Sequence, residues 1–172
     1  SKEKIEYKSD YLDELISAVI TENINLAEKI SKKILLTDPN NQEAKLLMMV
    51  KFANAKNEKE LESLRFDKDN QKNDLFEFIF FLNEKIKSNK DISNSFLEIV
   101  RSSYTKQSTN NSQNYNFLLF YTSLAALVNE KNYEAIFIKG QLLQMIDDYF
   151  FAESTYQKIC LLYTSPSPRD NS

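Results

Sequence analysis

Histidine and tryptophan are absent from this 172-residue chain; cysteine and glycine occur once each and proline three times. Without an imidazole there is no Ser-His-Asp triad, no Cys-His dyad and no His-ligated zinc or haem. A single cysteine, Cys160, excludes a disulfide framework and any Cys-x-x-Cys site. Phosphate-cradling loops, dinucleotide-binding turns and tight β-hairpins need glycine at fixed places, so the shortage disfavours nucleotide folds and most β folds. No stretch reaches the ~18 consecutive apolar residues of a membrane-spanning helix. The richest, residues 117–128, carries Thr122 and Ser123 and reads as a buried helix. The net charge of −3 offers no global positive field to nucleic acid.

What is present is helical. Apolar residues make up 42% and charged residues 27% of the chain, which places it among globular proteins rather than disordered ones. Tyr11, Leu12, Leu15, Ile16, Val19 and Ile20 fall on one face of a 3.6-residue period. Leu26, Ala27, Ile30, Ile34 and Leu35 form a second stripe, which stops at Thr37-Asp38-Pro39-Asn40-Asn41, where proline cannot continue a helix. Further helices are predicted over about 42–55, 58–66, 75–88, 92–104, 116–128, 133–146 and 149–159, with polar connectors at 67–74 and 107–113. Nine amphipathic helices on short links predict an all-α fold of stacked helical hairpins.

The spacing of small residues points further. Ala27 precedes Ile34 by seven residues and Pro39 by twelve. Independently, Gly140, Ala152, Tyr156 and Ile159 are separated by 12, 4 and 3 residues, and Ala125 lies 34 residues before Ile159. This order of small, aromatic and aliphatic residues resembles that of the tetratricopeptide repeat, a 34-residue helix pair, where its two helices cross. Glycine at such a crossing lets two backbones approach without a side chain between them. On these residues the chain resembles the tetratricopeptide-repeat family, and over 124–156 the long repeat proteins of alphaproteobacteria. The resemblance implies a right-handed solenoid of about four antiparallel helix hairpins over residues 1–159, as part of a longer array. It covers both ends well and the middle poorly. The 91 residues from Ile34 to Ala125 are not a multiple of 34, and Ser31 stands where an aromatic residue is usual. Residues 160–172 stand apart. Both late prolines, the only cysteine and one of three arginines fall there, and the segment resembles a translated sequencing-adapter tail. It is expected to be non-native or disordered, with the natural chain continuing differently after Ile159. The opening Ser1-Lys2-Glu3-Lys4 suggests a processed or internal start.

Chemistry-bearing patterns are few. Asp67–Asp74 is faintly like a calcium loop but has Lys72 where glycine belongs and Phe78 where the bidentate glutamate belongs. Asp147-Asp148 reads as a helix cap. Lys29, Lys32 and Lys33 form a basic cluster in which Glu28 can pair with Lys32. No catalytic, cofactor-binding or metal-binding residues are assigned, and no cofactor is expected. Ala27, Pro39, Ala125, Gly140, Ala152 and Tyr156 are assigned to helix crossings. Asn23, Lys45, Met49, Lys139 and Gln144 are the candidates to face a ligand in a concave groove. The expected function is a non-catalytic scaffold holding a peptide or partner protein, with no nucleic acid. The alternatives are a helical accessory segment of a larger bacterial enzyme or envelope assembly, or a lipid-binding bundle using Phe76–Phe81. The resemblance leans towards a bacterial periplasm or envelope, with the cytoplasm as the other location.

Overall fold

The structure, a computed structural model, describes the backbone of residues 2–64, 88–106, 112–146 and 155–158, and the side chains of 11–64, 88–103, 115–146 and 155–158. Among these residues every regular element is an α-helix: α1 (Lys2–Ile20), α2 (Ile24–Thr37), α3 (Gln42–Asn54), α4 (Glu58–Ser63), α5 (Asn89–Lys106), α6 (Ser112–Val128) and α7 (Tyr133–Met145). Residues 155–158 form a further helical turn. The helix expected over 75–88, the Phe76–Phe81 segment, the acidic stretch 67–74, Asp147-Asp148, Ala152 and the tail from 160 lie outside the described residues.

Two boundaries differ most from the sequence reading. α1 begins nine residues before Tyr11 because Lys2–Asp10 is charged rather than apolar. Lysine and glutamate favour a helix by propensity, which an apolar stripe does not reveal. α6 begins at Ser112, inside the expected loop, since short polar residues favour a helix's first turn.

The first four helices form two hairpins with the same turn. After α1, Asn23 N–H donates to Ala18 C=O (2.9 Å) and Glu22 N–H to Val19 C=O (3.0 Å). After α3, Asn57 N–H donates to Phe52 C=O (2.9 Å) and Lys56 N–H to Ala53 C=O (3.1 Å). These are paired 6→1 and 5→2 bonds, and they require a left-handed residue, here Glu22 (φ 60) and Lys56 (φ 54). In each turn the next residue caps the following helix: Asn23 Oδ1 accepts from Leu26 N–H (3.3 Å) and Asn57 Oδ1 from Glu60 N–H (3.2 Å). The two turns are 34 residues apart in the sequence. The core repeats with them, because Leu15 and Met49, Val19 and Ala53, Ala27 and Leu61, and Ile30 and Leu64 are all buried. α3 packs against both α1 and α2.

The later helices are arranged around α6, which packs against α1, α3, α5 and α7. Its burial follows from its composition. Leu118 to Ala126 are buried without interruption, Thr122 and Ser123 included. Thr122 satisfies its hydroxyl by donating to Leu118 C=O. A helix apolar on all sides is stable only when surrounded. Asn54 joins three helix ends, accepting from the Asn89 amide (3.0 Å) and donating to Leu127 C=O (3.1 Å). No helix among the described residues is long and apolar enough to cross a membrane.

Candidate functional site

α1 and α7 both lie along α6 but hardly pack on each other. They meet at one end through Lys139. This lysine is 2% exposed, and its ammonium donates to Ile20 C=O at 2.7 Å and lies 3.4 Å from Glu22 Oε1. The other carboxylate oxygen of Glu22 pairs with Lys158. Burial pulls the Lys139 ammonium below its ordinary pKa, against the opposing pull of Glu22. Burial also pushes the Glu22 carboxyl up, but Lys139 and Lys158 together hold it below the usual carboxylate value. Glu22 therefore both adopts the left-handed turn and joins the two ends of the chain.

Beyond this clasp the two helices leave a slot of about 450 Å³. α1 contributes Asp13, Ile16, Ser17 and Ile20, with Thr21 just past its end. The floor is Leu119 of α6, with Asn116 one turn earlier. The far wall is Leu143 and Ile146. α7 must run antiparallel to α1, since Lys139 meets Ile20 and the later residues of α7 still flank α1. Asp13 and Ile146 each lie seven residues from that contact, about 10 Å away along their helices. The slot is lined by apolar and polar surface in nearly equal shares, and its volume is within the size range of small-molecule and peptide sites. Among the described residues Asp13 is the only ionisable one lining it.

The five residues expected to face a ligand are placed differently from one another. Met49 is 1% exposed and lies in the core. Lys45 is buried, with Nζ donating to Leu64 C=O at 3.2 Å, and burial pulls its pKa down. Lys139 is the clasp. Asn23 and Gln144 are exposed, but Asn23 Oδ1 caps α2 and Gln144 accepts from the Tyr156 hydroxyl at 3.2 Å. None of the five lines the slot. The sequence reading missed the slot's own residues because a slot depends on which distant helices share a neighbour. Ile16 and Ser17 looked like any helix face.

The residues assigned to helix crossings are placed differently from one another. Ala27 and Ala125 are fully buried, and Pro39 lies in the turn between α2 and α3. A Cβ on Gly140 would come within 2.7 Å of Tyr156 Cζ and 3.0 Å of Cδ1, so the tyrosine ring occupies the space that a side chain would fill. Phe137 packs against the same ring in a tilted arrangement, with centroids 6.0 Å apart.

Two polar networks fix the surrounding frame. The Asn132 amide donates to Ser93 Oγ (2.7 Å), and Ser93 Oγ donates to Ala125 C=O (2.7 Å), joining α5, α6 and the start of α7 in a buried chain. Arg101 of α5 pairs with Glu98 at 2.6 Å and with Glu134 of α7, and these carboxylates raise its pKa. On the opposite face, Glu28 pairs with Lys32 (2.9 Å), as its spacing predicts, and with Lys51. Lys33 lies 5.7 Å from the Tyr11 ring centroid. Among the described residues no three acidic or cysteine side chains are grouped to hold a metal.

Comparison with protein-family models, with curated proteins and with solved structures finds no match to this chain.

Proposed function

We propose that the chain is a non-catalytic helical interaction module of the tetratricopeptide-like kind, and that the slot between α1 and α7 is where it holds a peptide segment of its partner. The observation that carries this reading is the slot itself: two helices fixed to one floor, joined at one end and open between. Helix-lined grooves of this kind accept an apolar helix face or an extended segment. The repeat reading draws support from the two identical turns 34 residues apart and from the packing of α3 on both helices of the preceding hairpin. In a one-dimensional stack each repeat meets only its neighbours. The contacts of α6 with α1 and α3 depart from that rule, and on this reading they belong to a stack that curls round α6 and so leaves the slot.

The test is selection of random peptides, about three helical turns long, against the intact chain, followed by binding to a Ser17→Arg variant. Ser17 is exposed and lines the slot, so an arginine there fills the slot without disturbing the core. Binders that lose affinity for the variant support the proposal. A selection that returns no binder, or binders indifferent to Ser17→Arg, overturns it.

A further inference from the structure

The slot has an electrostatic signature that narrows its occupant. Of its nine described lining residues, five are apolar, three are neutral and polar, and Asp13 alone is charged. Asp13 is exposed at the open end, opposite the clasp. The same end receives the C-terminus of α7, where Ile146 is the cap residue. The last carbonyls of a helix carry a partial negative charge of roughly half an electron, which adds to the aspartate. At the closed end, Lys139 is engaged by Ile20 C=O and Glu22, and Lys158 by Glu22. These two cations are thus engaged at the closed end, while Asp13 at the slot mouth has no cationic neighbour among the described lining residues.

We infer that the slot takes an amphipathic helical peptide whose apolar face ends in a lysine or arginine that meets Asp13. This rests on the slot being the docking site and adds the chemistry of the ligand. The wall from Asp13 to Thr21 spans about 12 Å, or two to three helical turns. An apolar stripe of that length covers Ile16, Ile20 and Leu119, and its cationic end falls beside Asp13 and the end of α7. A long basic side chain suits this place because its methylene stem lies on Ile146 while the charge reaches the aspartate at the rim. An acidic residue at the same point would face both the carboxylate and the helix end. The site therefore selects by repulsion as well as attraction.

The experiment uses the peptides selected on the intact chain. Their sequences are expected to carry apolar residues at helical spacing and a lysine or arginine at one end. For the tightest binder, Asp13→Lys is expected to weaken affinity about fivefold or more, and replacing the peptide's cation by glutamate is expected to recover binding to that variant. Asp13 is exposed, so the variant is not expected to affect folding, and its helical circular dichroism checks this. Three results overturn the inference: selected peptides with no basic residue, affinity unchanged by Asp13→Lys, or no recovery with the glutamate peptide. If any of these occurs while Ser17→Arg still abolishes binding, the slot remains the docking site and only the ligand chemistry fails. If Ser17→Arg has no effect either, the docking site itself is wrong.

Discussion

The ammonium of Lys139 donates to the carbonyl of Ile20 at 2.7 Å, joining two residues 119 positions apart in the chain. Ile20 ends α1, so its carbonyl has no partner within the helix, and a cation is the favourable group to place there. Replacing the side chain by methionine keeps most of the volume and removes the charge. It leaves Ile20 C=O without its donor and Glu22 with Lys158 alone. Lys139→Met is expected to lose about 1–3 kcal/mol in urea denaturation. A variant as stable as the wild type would mean that desolvation of the ammonium cancels its bonds.

Glu22 gives the clasp a pH dependence. Its folded-state pKa lies below its ordinary 4.5, so the unfolded chain takes up a proton first as the pH falls. Its contribution to stability is full above 4.5 and is lost as the pH drops through the lower, folded value. The stability difference between wild type and Glu22→Gln should therefore shrink as the pH is lowered from neutral through 4.5 and beyond. Urea midpoints measured across that range check it. A difference that stays constant would mean that the carboxylate is not paired in the folded state.

The two left-handed residues should respond oppositely to glycine. Lys56 (φ 54) and Glu22 (φ 60) occupy the same position of the same turn, where a side chain costs energy that glycine avoids. Lys56 has no ion pair among the described contacts of its turn. Lys56→Gly is expected to raise stability by about 0.5–1 kcal/mol. Glu22→Gly gives up the bonds to Lys139 and Lys158 and is expected to lower it. Thermal melts of the two variants decide the point, and stabilisation by both would remove the clasp from the account.

Much of the local fold was legible in the residues, and the reason is punctuation. Asn23, Asn41, Asn57 and Asn132 each stand before a helix, and each accepts a bond from the backbone three residues on. The recurrence between the first two hairpins was harder to see. Its left-handed positions carry glutamate and lysine instead of glycine, and Leu61 stands where Ala27 stands one period earlier. The burial of Lys45, Met49 and Lys139 was not legible. α3 and α7 are apolar on several sides, so their periodicity does not single out an outward face. The slot depends on α1 and α7 sharing α6, and no local pattern contains that information.

Gly140 and Tyr156 should be energetically coupled. Alanine in place of a mid-helix glycine ordinarily stabilises a helix by about 1 kcal/mol. Here the added methyl group meets the Tyr156 ring, which must swing away from Gly140 and from Phe137. Gly140→Ala is expected to stabilise by about 1 kcal/mol in a Tyr156→Ala background and by clearly less in the wild type. Gly140→Leu overpacks the same contact, with an expected loss of about 1–3 kcal/mol. Equal effects of Gly140→Ala in both backgrounds would show that the ring does not rest on the glycine.

The most direct test of the account is a map of backbone amide shifts as a selected peptide is titrated into the intact, isotope-labelled chain. The account predicts that the largest changes fall on Asp13, Ser17, Leu119 and Leu143, along the two walls and the floor. Changes centred instead on the exposed Leu26 and Leu36 of α2, with the α1–α7 slot silent, would contradict it.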